Sequence, residues 1–250
     1  MRRSCPRDAG VASEPVTRFR SHSMCGRYAL KTSVPEIARI LGASAKVEFA
    51  PSYNVAPSRM VPVCRVSVDG DRELALLRWG LVPHWAKEVN DRYRMINARA
   101  ETVDKKPAFR TPFRRRRCLV PADGYFEWKA EPQRKQPYFI HRNDGMPLFL
   151  AGLWDRWEKS NDGPLDSFSI VTTSASERLV AIHDRMPVII RAADRRTWLD
   201  PELEDLDQLL PLLDPDPGIE LSLTPVSTYI NNPRHDDARC LQPVTTPSAG

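Results

Sequence analysis

The sequence predicts one α+β domain, built on a mainly antiparallel β-sheet with a barrel-like core and a few short helices. The first observation is a series of short apolar runs that are typical of strands. The second is that Gly-containing turn signals separate several of these runs. The third is that helix-start signals are few and precede short apolar patterns. Strands joined by turns, with interspersed helices, favour this class over a parallel βαβ scaffold.

The clearest hairpin lies in the first third of the chain. Residues 61–68 alternate in hydrophobicity, Asp69-Gly70 is a tight-turn signal, and residues 74–79 return as the partner strand. We predict a second hairpin, formed by residues 138–140 and 148–150 around Asn-Asp-Gly. The remaining predicted strands comprise two that flank the turn at 122–124 and two later in the chain: 118–120, 125–128, 168–172 and 221–225.

Helices are predicted at two capping boxes and one acidic stretch. Ser33-Val-Pro-Glu36 opens a helix that ends at Gly42, with proline tolerated in the first turn. Ser174-x-x-Glu177 opens a second, which should bury Leu179, Val180 and Ile182. Residues 200–213 form an acidic helical stretch, whereas the arginine run 114–117 is expected to be a solvated loop.

Composition sets the domain boundaries and limits the class of partner. The net charge is +5, but residues 1–23 contribute five Arg and two acidic residues, which leaves 32 basic and 30 acidic residues from Met24 onward. Any nucleic-acid site must therefore be a local patch. We expect residues 1–23 to be a disordered leader or to precede the true start, residues 24–244 to form the domain, and residues 245–250 to be a tail.

Cysteine usage and hydropathy bear on the compartment. The five cysteines are scattered without metal-binding spacing, so we expect no metal, no cofactor and a reducing cytoplasm. No apolar run is long enough to span a membrane. We expect a monomer.

The most informative pair of residues is Met24-Cys25. Removal of the methionine would give Cys25 a free amine with a pKa of about 7.7–8.0 beside a thiol with a pKa of about 8.5. Such an amine condenses with an aldehyde to an imine, and the tethered thiol then closes a five-membered thiazolidine ring. The pair alone favours the ordinary alternative, a buried structural cysteine near the start of a domain.

Other segments carry candidate polar groups, each with an ordinary structural alternative. Asn97 and Arg99 lie two apart and share a face if extended, or belong to a capped loop. Glu127, between aromatic residues, is either solvated or held in an apolar pocket with a raised pKa. His183 and Arg185 are placed at a predicted helix end, where histidine is often only a favourable cation.

Two tryptophans surround a predicted turn. Trp79 and Trp85 are explained by core packing or, alternatively, by stacking on nucleic-acid bases.

Seven motifs in one order and spacing resemble a known family. They are Cys-Gly-Arg-Tyr at 25–28, Tyr-Asn-Val-Ala-Pro at 53–57, Trp-Gly-Leu-Val-Pro at 79–83, Asn-Ala-Arg-Ala-Glu-Thr at 97–102, Gly-Tyr-Phe-Glu-Trp at 124–128, Ala-Gly-Leu-Trp at 151–154 and His-Asp-Arg-Met-Pro at 183–187. The chain resembles the SRAP (SOS response-associated peptidase) family of abasic-site processing proteins from Met24 to about Val244. The resemblance implies recognition of abasic sites in single-stranded DNA and a thiazolidine crosslink.

The resemblance also implies roles for individual residues. Cys25 would be the nucleophile, Asn97 would hold the opened sugar, Glu127 would shuttle protons, and His183 would protonate the sugar oxygen. The residues expected to contact or shape the DNA channel are Arg27, Asn54, Pro57, Trp79, Trp85, Arg99 and Arg185, of which the arginines would grip phosphates.

One departure and two alternatives accompany this interpretation. With 23 residues before Met24, the nitrogen of Cys25 is an amide, so we hypothesise that translation begins at Met24 or that the leader is removed. The first alternative is a cysteine peptidase in which Cys25 attacks an amide, His183 is the base and Asn97 orients it, with autocatalytic removal of the leader. The second is a non-catalytic binder of single-stranded DNA.

Overall fold

A computed structural model describes residues 25–89, 95–159, 163–215 and 218–244. The predicted leader at 1–23, Met24 and the predicted tail at 245–250 lie outside the described residues. The described strands are β1 Tyr28–Leu30, β2 Ser44–Ala45, β3 Ser52–Val55, β4 Met60–Val66, β5 Arg72–Trp79, β6 Asn97–Arg99, β7 Arg117–Ala122, β8 Gly124–Ala130, β9 Lys135–Arg142, β10 Leu148–Trp157, β11 Leu165–Ser174, β12 Arg185–Pro187 and β13 Leu221–Pro225.

The strands form two sheets, and the larger one closes on itself. An antiparallel sheet has the order β13-β9-β8-β1-β3. In the second sheet β11, β10, β7, β4 and β5 are neighbours in that order, and β5 pairs back onto β11 in parallel at Trp79↔Phe168. This ring is the predicted barrel-like core. The short strands β12 and β6 each pair with β11, and β2 pairs with β5.

The helices are short, as expected from the few helix-start signals. They are α1 Val34–Leu41, α2 Arg110–Arg115, α3 Arg195–Leu199 and α4 Leu206–Leu209. Helix α1 begins where the capping box predicts, since the Ser33 hydroxyl accepts a hydrogen bond from the backbone N–H of Glu36. It ends at Gly42, whose φ of 58° suits glycine. No helix among the described residues is long and apolar enough to cross a membrane.

The predicted helix after Ser174 is wrong. Residues 175–184 form turns, and the side chain of Val180 is 59% exposed instead of buried. The reason is that Ser174 at the end of β11 pairs directly with Arg185 at the start of β12. A helix would carry the chain about 1.5 Å per residue away from β11, which is incompatible with ends held side by side.

The second predicted hairpin is also wrong, although both of its strands exist. The turn after Arg142 carries the chain from β9 in the antiparallel sheet to β10 in the barrel. Strand β9 pairs with β8 and β13, whereas β10 pairs with β7 and β11. Turn residues therefore identified a chain reversal, but long-range pairing decided which strands became neighbours. The first hairpin, β4–β5, is confirmed.

Two expectations about charged segments need correction. The arginine run is not a solvated loop, because Arg116 pairs with buried Asp155 and the Arg117 side chain is buried. Arg117 donates hydrogen bonds to five backbone carbonyl oxygens, those of Phe113, Arg114, Trp198, Asp200 and Leu203. The acidic stretch 200–213 is helical only over α4 and a 3-10 turn at Leu210–Leu213.

Candidate active site

Cys25 lies in a buried position just before β1. Its side chain is completely inaccessible to solvent, and its φ is 37°, a left-handed value that is uncommon for a residue other than glycine. The backbone nitrogen of Cys25 donates a hydrogen bond of 2.7 Å to Oε1 of Glu127 on β8. Pairing of β1 with β8 positions these two residues, which are 102 apart in sequence. The structure thus brings the predicted nucleophile and the predicted proton shuttle into direct contact.

Burial controls the protonation of both groups. Glu127 is only 4% exposed, and desolvation raises the pKa of its carboxyl to about 8 despite hydrogen bonds from the backbone N–H groups of Cys25 and Trp128. Of the two alternatives for Glu127, the apolar pocket with a raised pKa is confirmed. Burial, and then the charge of Glu127, raises the pKa of the Cys25 thiol. A carboxyl with a pKa near neutrality can both give and take a proton.

A second group of predicted residues surrounds the end of β11. Strand β6 places Asn97 opposite Ile170 and Arg99 opposite Thr172. On the other side, Arg185 donates a hydrogen bond of 2.7 Å to the carbonyl oxygen of Thr172. Because Arg99 and Arg185 flank one strand end, they can act on the same ligand.

Glu101 lies beside these residues and forms an ion pair with Arg185. Its carboxylate accepts two hydrogen bonds from Arg185, which lower its pKa, and Arg99 lowers it further. A phosphate that is to pair with Arg185 must therefore displace or share this contact. Arg99 itself is exposed.

His183 is held by its own loop and not by a helix end. Its Nδ1 lies 3.0 Å from the backbone nitrogen of Arg185 and 3.0 Å from Oδ1 of Asp184. Both contacts hold the imidazole ring through Nδ1, while the contact of His183 with a sugar oxygen stays a prediction. The charge of Asp184, next to His183, raises the pKa of Glu127, which links this loop to Cys25.

Arg27 and Asn54 are part of one network with the C-terminal segment. Arg27 donates to Oδ1 of Asn54 at 2.9 Å and to the carbonyl oxygen of Ile230 at 3.1 Å. Asn54 is completely buried, and its amide donates to carbonyl oxygens of Ile230, Asn232 and His235. The structure therefore gives Asn54 the function of fixing the Arg27 guanidinium, while a DNA contact by Arg27 stays a prediction.

The two tryptophans and Pro57 have different environments. Trp79 is completely buried, donates from Nε1 to the carbonyl oxygen of Ile96, and packs on Tyr28 with a ring separation of 5.2 Å. Core packing accounts for this residue. Trp85 is 51% exposed and is available for stacking. Pro57 is half-buried and lies two residues beyond the end of β3.

Sequence reasoning missed Trp128 as a member of the site. It follows Glu127 on β8, and its Nε1 donates a hydrogen bond of 2.7 Å to Oδ1 of Asn231. The backbone carbonyl oxygen of Asn231 also accepts a hydrogen bond from Arg27. Its position at the end of the Gly-Tyr-Phe-Glu-Trp motif was the available signal. Among the residues that the structure describes, no cluster of His, Cys, Asp and Glu could hold a metal ion.

Comparisons with known proteins identify relatives over most of the chain. The family model described as SOS response associated peptidase (SRAP) matches residues 24–233. The chain is 37% identical over 223 residues to the abasic site processing protein YoqW of Bacillus subtilis, covering 88% of this chain and 99% of that protein. It is 32% identical to the abasic site processing protein YedK of Escherichia coli, covering 88% of this chain and all of that protein.

Relatives also include a vertebrate protein and a solved structure. The abasic site processing protein HMCES of Xenopus tropicalis is 33% identical over 78% of this chain and 66% of its own length. A crystal structure of a protein from Bacteroides thetaiotaomicron superimposes with a TM-score of 0.78 at 28% identity, covering 88% of this chain and all of that one. By its family match and by these identities, the chain belongs to the SOS response associated peptidase (SRAP) family.

Proposed function

We propose that this protein processes abasic sites in single-stranded DNA by capturing the sugar aldehyde covalently on Cys25. The observation that carries the proposal is the 2.7 Å hydrogen bond between the nitrogen of Cys25 and the buried carboxyl of Glu127. The amine, the thiol of the same residue and the proposed proton shuttle would then be neighbours. The names of the relatives YoqW, YedK and HMCES support an abasic site as the target.

The chemistry requires proton transfers that Glu127 is suited to make. The amine of Cys25 adds to the aldehyde carbon, and the resulting carbinolamine loses water to give an imine. With a pKa of about 8, the carboxyl can protonate the departing hydroxyl and accept a proton from the attacking amine. His183 would protonate the sugar oxygen and so favour the open aldehyde, and Asn97 would hold the opened sugar.

Single-stranded DNA is proposed because the abasic sugar must reach a buried nitrogen. The arginines Arg27, Arg99 and Arg185 would hold flanking phosphates, and exposed Trp85 would stack on a neighbouring base. Pro57, Asn54 and Trp79 would act by shaping and fixing the channel wall. Such a site reads no base sequence, which suits a lesion defined by a missing base.

The proposal requires that the mature polypeptide begins at Cys25. Within the 250-residue chain, the Cys25 nitrogen is an amide and cannot form an imine. The match to the family model begins at Met24, which supports translation from Met24 or removal of residues 1–24. The intact mass of protein from the native host tests this point, and retention of the leader in all molecules would remove the crosslinking function.

The crosslinking test uses protein whose mass shows that it begins at Cys25. Incubation with single-stranded DNA carrying one abasic site should give a band that survives denaturation, and Cys25→Ala should lose it. Cys118→Ala is a matched control, because Cys118 is an equally buried thiol on β7. A cysteine peptidase would instead cleave a peptide, and a non-catalytic binder would retain DNA in a salt-sensitive manner after Cys25→Ala. The bond from the Cys25 nitrogen to a carboxylate favours amine chemistry over these alternatives.

A further inference from the structure

Two buried tyrosines next to Cys25 have hydroxyl groups without a protein partner. Tyr28 on β1 and Tyr125 on β8 face each other as a cross-strand pair, and both side chains are completely buried. Within the described part of the chain, neither hydroxyl makes a hydrogen bond. Leaving a buried hydroxyl unbonded is unfavourable by an amount comparable to a lost hydrogen bond. The pair therefore points to a partner that is supplied by the chemistry of the site.

The position of the pair relates it to the nucleophile. Tyr125 and Glu127 are two residues apart on β8, so their side chains share one face of the sheet. Cys25, Tyr28 and Tyr125 belong to one buried cluster, and each phenol is influenced by the charge of the Cys25 thiolate. Burial also raises the pKa of both phenols, which keeps them protonated and able to donate.

The thiol of Cys25 requires such donors. Ring closure uses the thiolate, but burial and the charge of Glu127 both disfavour a negative sulfur. The titratable groups coupled by charge to the Cys25 thiol are Glu127 and Tyr125 on β8 and Tyr28 on β1, and neither tyrosine hydroxyl bonds the neutral sulfur. More distant charges act on these groups: Asp184 and Lys135 on Glu127, and Arg59 on Tyr28.

We propose that the hydroxyl groups of Tyr28 and Tyr125 donate hydrogen bonds to the sulfur of Cys25 as it becomes negative, and are thus further catalytic residues of ring closure. This inference rests on the proposed covalent capture. In the step concerned, the Glu127 carboxylate takes the proton of the Cys25 thiol, and the sulfur adds to the imine carbon and forms the C–S bond. The electron pair of the C=N π bond moves to nitrogen, which takes a proton from the Glu127 carboxyl, and the neutral thiazolidine results.

The first test needs no DNA. Tyr28→Phe and Tyr125→Phe each remove one hydroxyl and preserve the ring, and Tyr229→Phe is a control because Tyr229 bonds Asp237 in a separate cluster. The rate of Cys25 alkylation by iodoacetamide is followed against pH, with Cys25 resolved by peptide mass spectrometry. Tyr28→Phe and Tyr125→Phe should each raise the midpoint of the pH profile of alkylation by about one pH unit. At pH values below that midpoint, alkylation should be about tenfold slower.

The second test separates imine formation from ring closure. With abasic single-stranded DNA, borohydride reduces the imine and so reports the amine step, whereas the crosslink formed without borohydride reports the ring. Tyr28→Phe and Tyr125→Phe should slow the second crosslink about tenfold and leave the first unchanged. An alkylation profile that does not move in either variant overturns the assignment. Absence of any crosslink in the native protein refutes the proposed function instead, and the alkylation result still judges the tyrosines.

Discussion

Glu127→Gln should stabilise the fold above about pH 4.5 and slow capture of the aldehyde by about 100-fold. The pKa of the carboxyl rises from an ordinary 4.5 to about 8 in the folded protein. Between these values the folded state binds a proton that the unfolded state has lost, so stability falls as pH rises. This rise in the pKa of Glu127 corresponds to a loss of folding stability of at most about 5 kcal/mol at pH 8 and above. Glutamine keeps an oxygen that can accept from the Cys25 N–H but cannot ionise.

The assay is urea unfolding of the 250-residue protein, in which the Cys25 nitrogen is an amide, at several pH values. The two proteins should be about equally stable near pH 4.5, and the advantage of Glu127→Gln should grow by about 1.4 kcal/mol per pH unit until about pH 8. Glu48→Gln is the matched control, since Glu48 is exposed, and it should show no such growth. A difference that is constant with pH, or a less stable glutamine variant at pH 8, would refute the reasoning about burial.

The same substitution measures the functional requirement. In protein that begins at Cys25, Glu127→Gln should slow imine formation on abasic DNA by about 100-fold or more, because general acid–base catalysis contributes about that much. The free ammonium of Cys25 would lie 2.7 Å from the carboxylate, so the gain in stability should be smaller than in the longer chain. An unchanged rate of borohydride-trapped imine would show that Glu127 is not the proton shuttle.

Three further outcomes follow from the same contacts. Cys25→Ala should lose the crosslink that survives without borohydride but keep a borohydride-trapped imine, and loss of both on a gel would contradict amine attack. Arg99→Ala and Arg185→Ala should each weaken DNA binding and reduce the slope of log affinity against log salt by about 0.7, measured by fluorescence anisotropy; unchanged slopes would argue against phosphate contacts. Arg117→Met should lower the unfolding free energy by about 3–5 kcal/mol in urea titrations because five carbonyl oxygens lose their donor, whereas exposed Arg115→Met should change it little.

Several features were predictable from local sequence because local interactions produce them. Helix α1 needs only the Ser33 cap, an apolar face and Gly42, all within ten residues of one another. The β4–β5 hairpin likewise depends on alternation and on a turn at Asp69-Gly70. The reactivity of an amine and a thiol on one cysteine is a property of that residue alone.

Other features depended on residues distant in sequence and could not be read locally. Ser174 and Arg185 are paired across β11 and β12. This pairing prevents the helix that the capping box at Ser174 predicts. The parallel contact of β5 with β11, which closes the barrel, joins residues about 90 positions apart. The burial of Arg117, inside a run of four arginines, depends on carbonyl oxygens contributed by residues 198–203.

The sequence by itself determined the family motifs, the short elements and the identity of the candidate nucleophile, since these depend on side-chain chemistry and nearest neighbours. Only the tertiary structure decided that Glu127 is buried, that its oxygen lies 2.7 Å from the nitrogen of Cys25, and that Asn54 supports Arg27. The physical reason is that desolvation, and with it the raised pKa of Glu127, exists only when strands from opposite parts of the chain exclude water together.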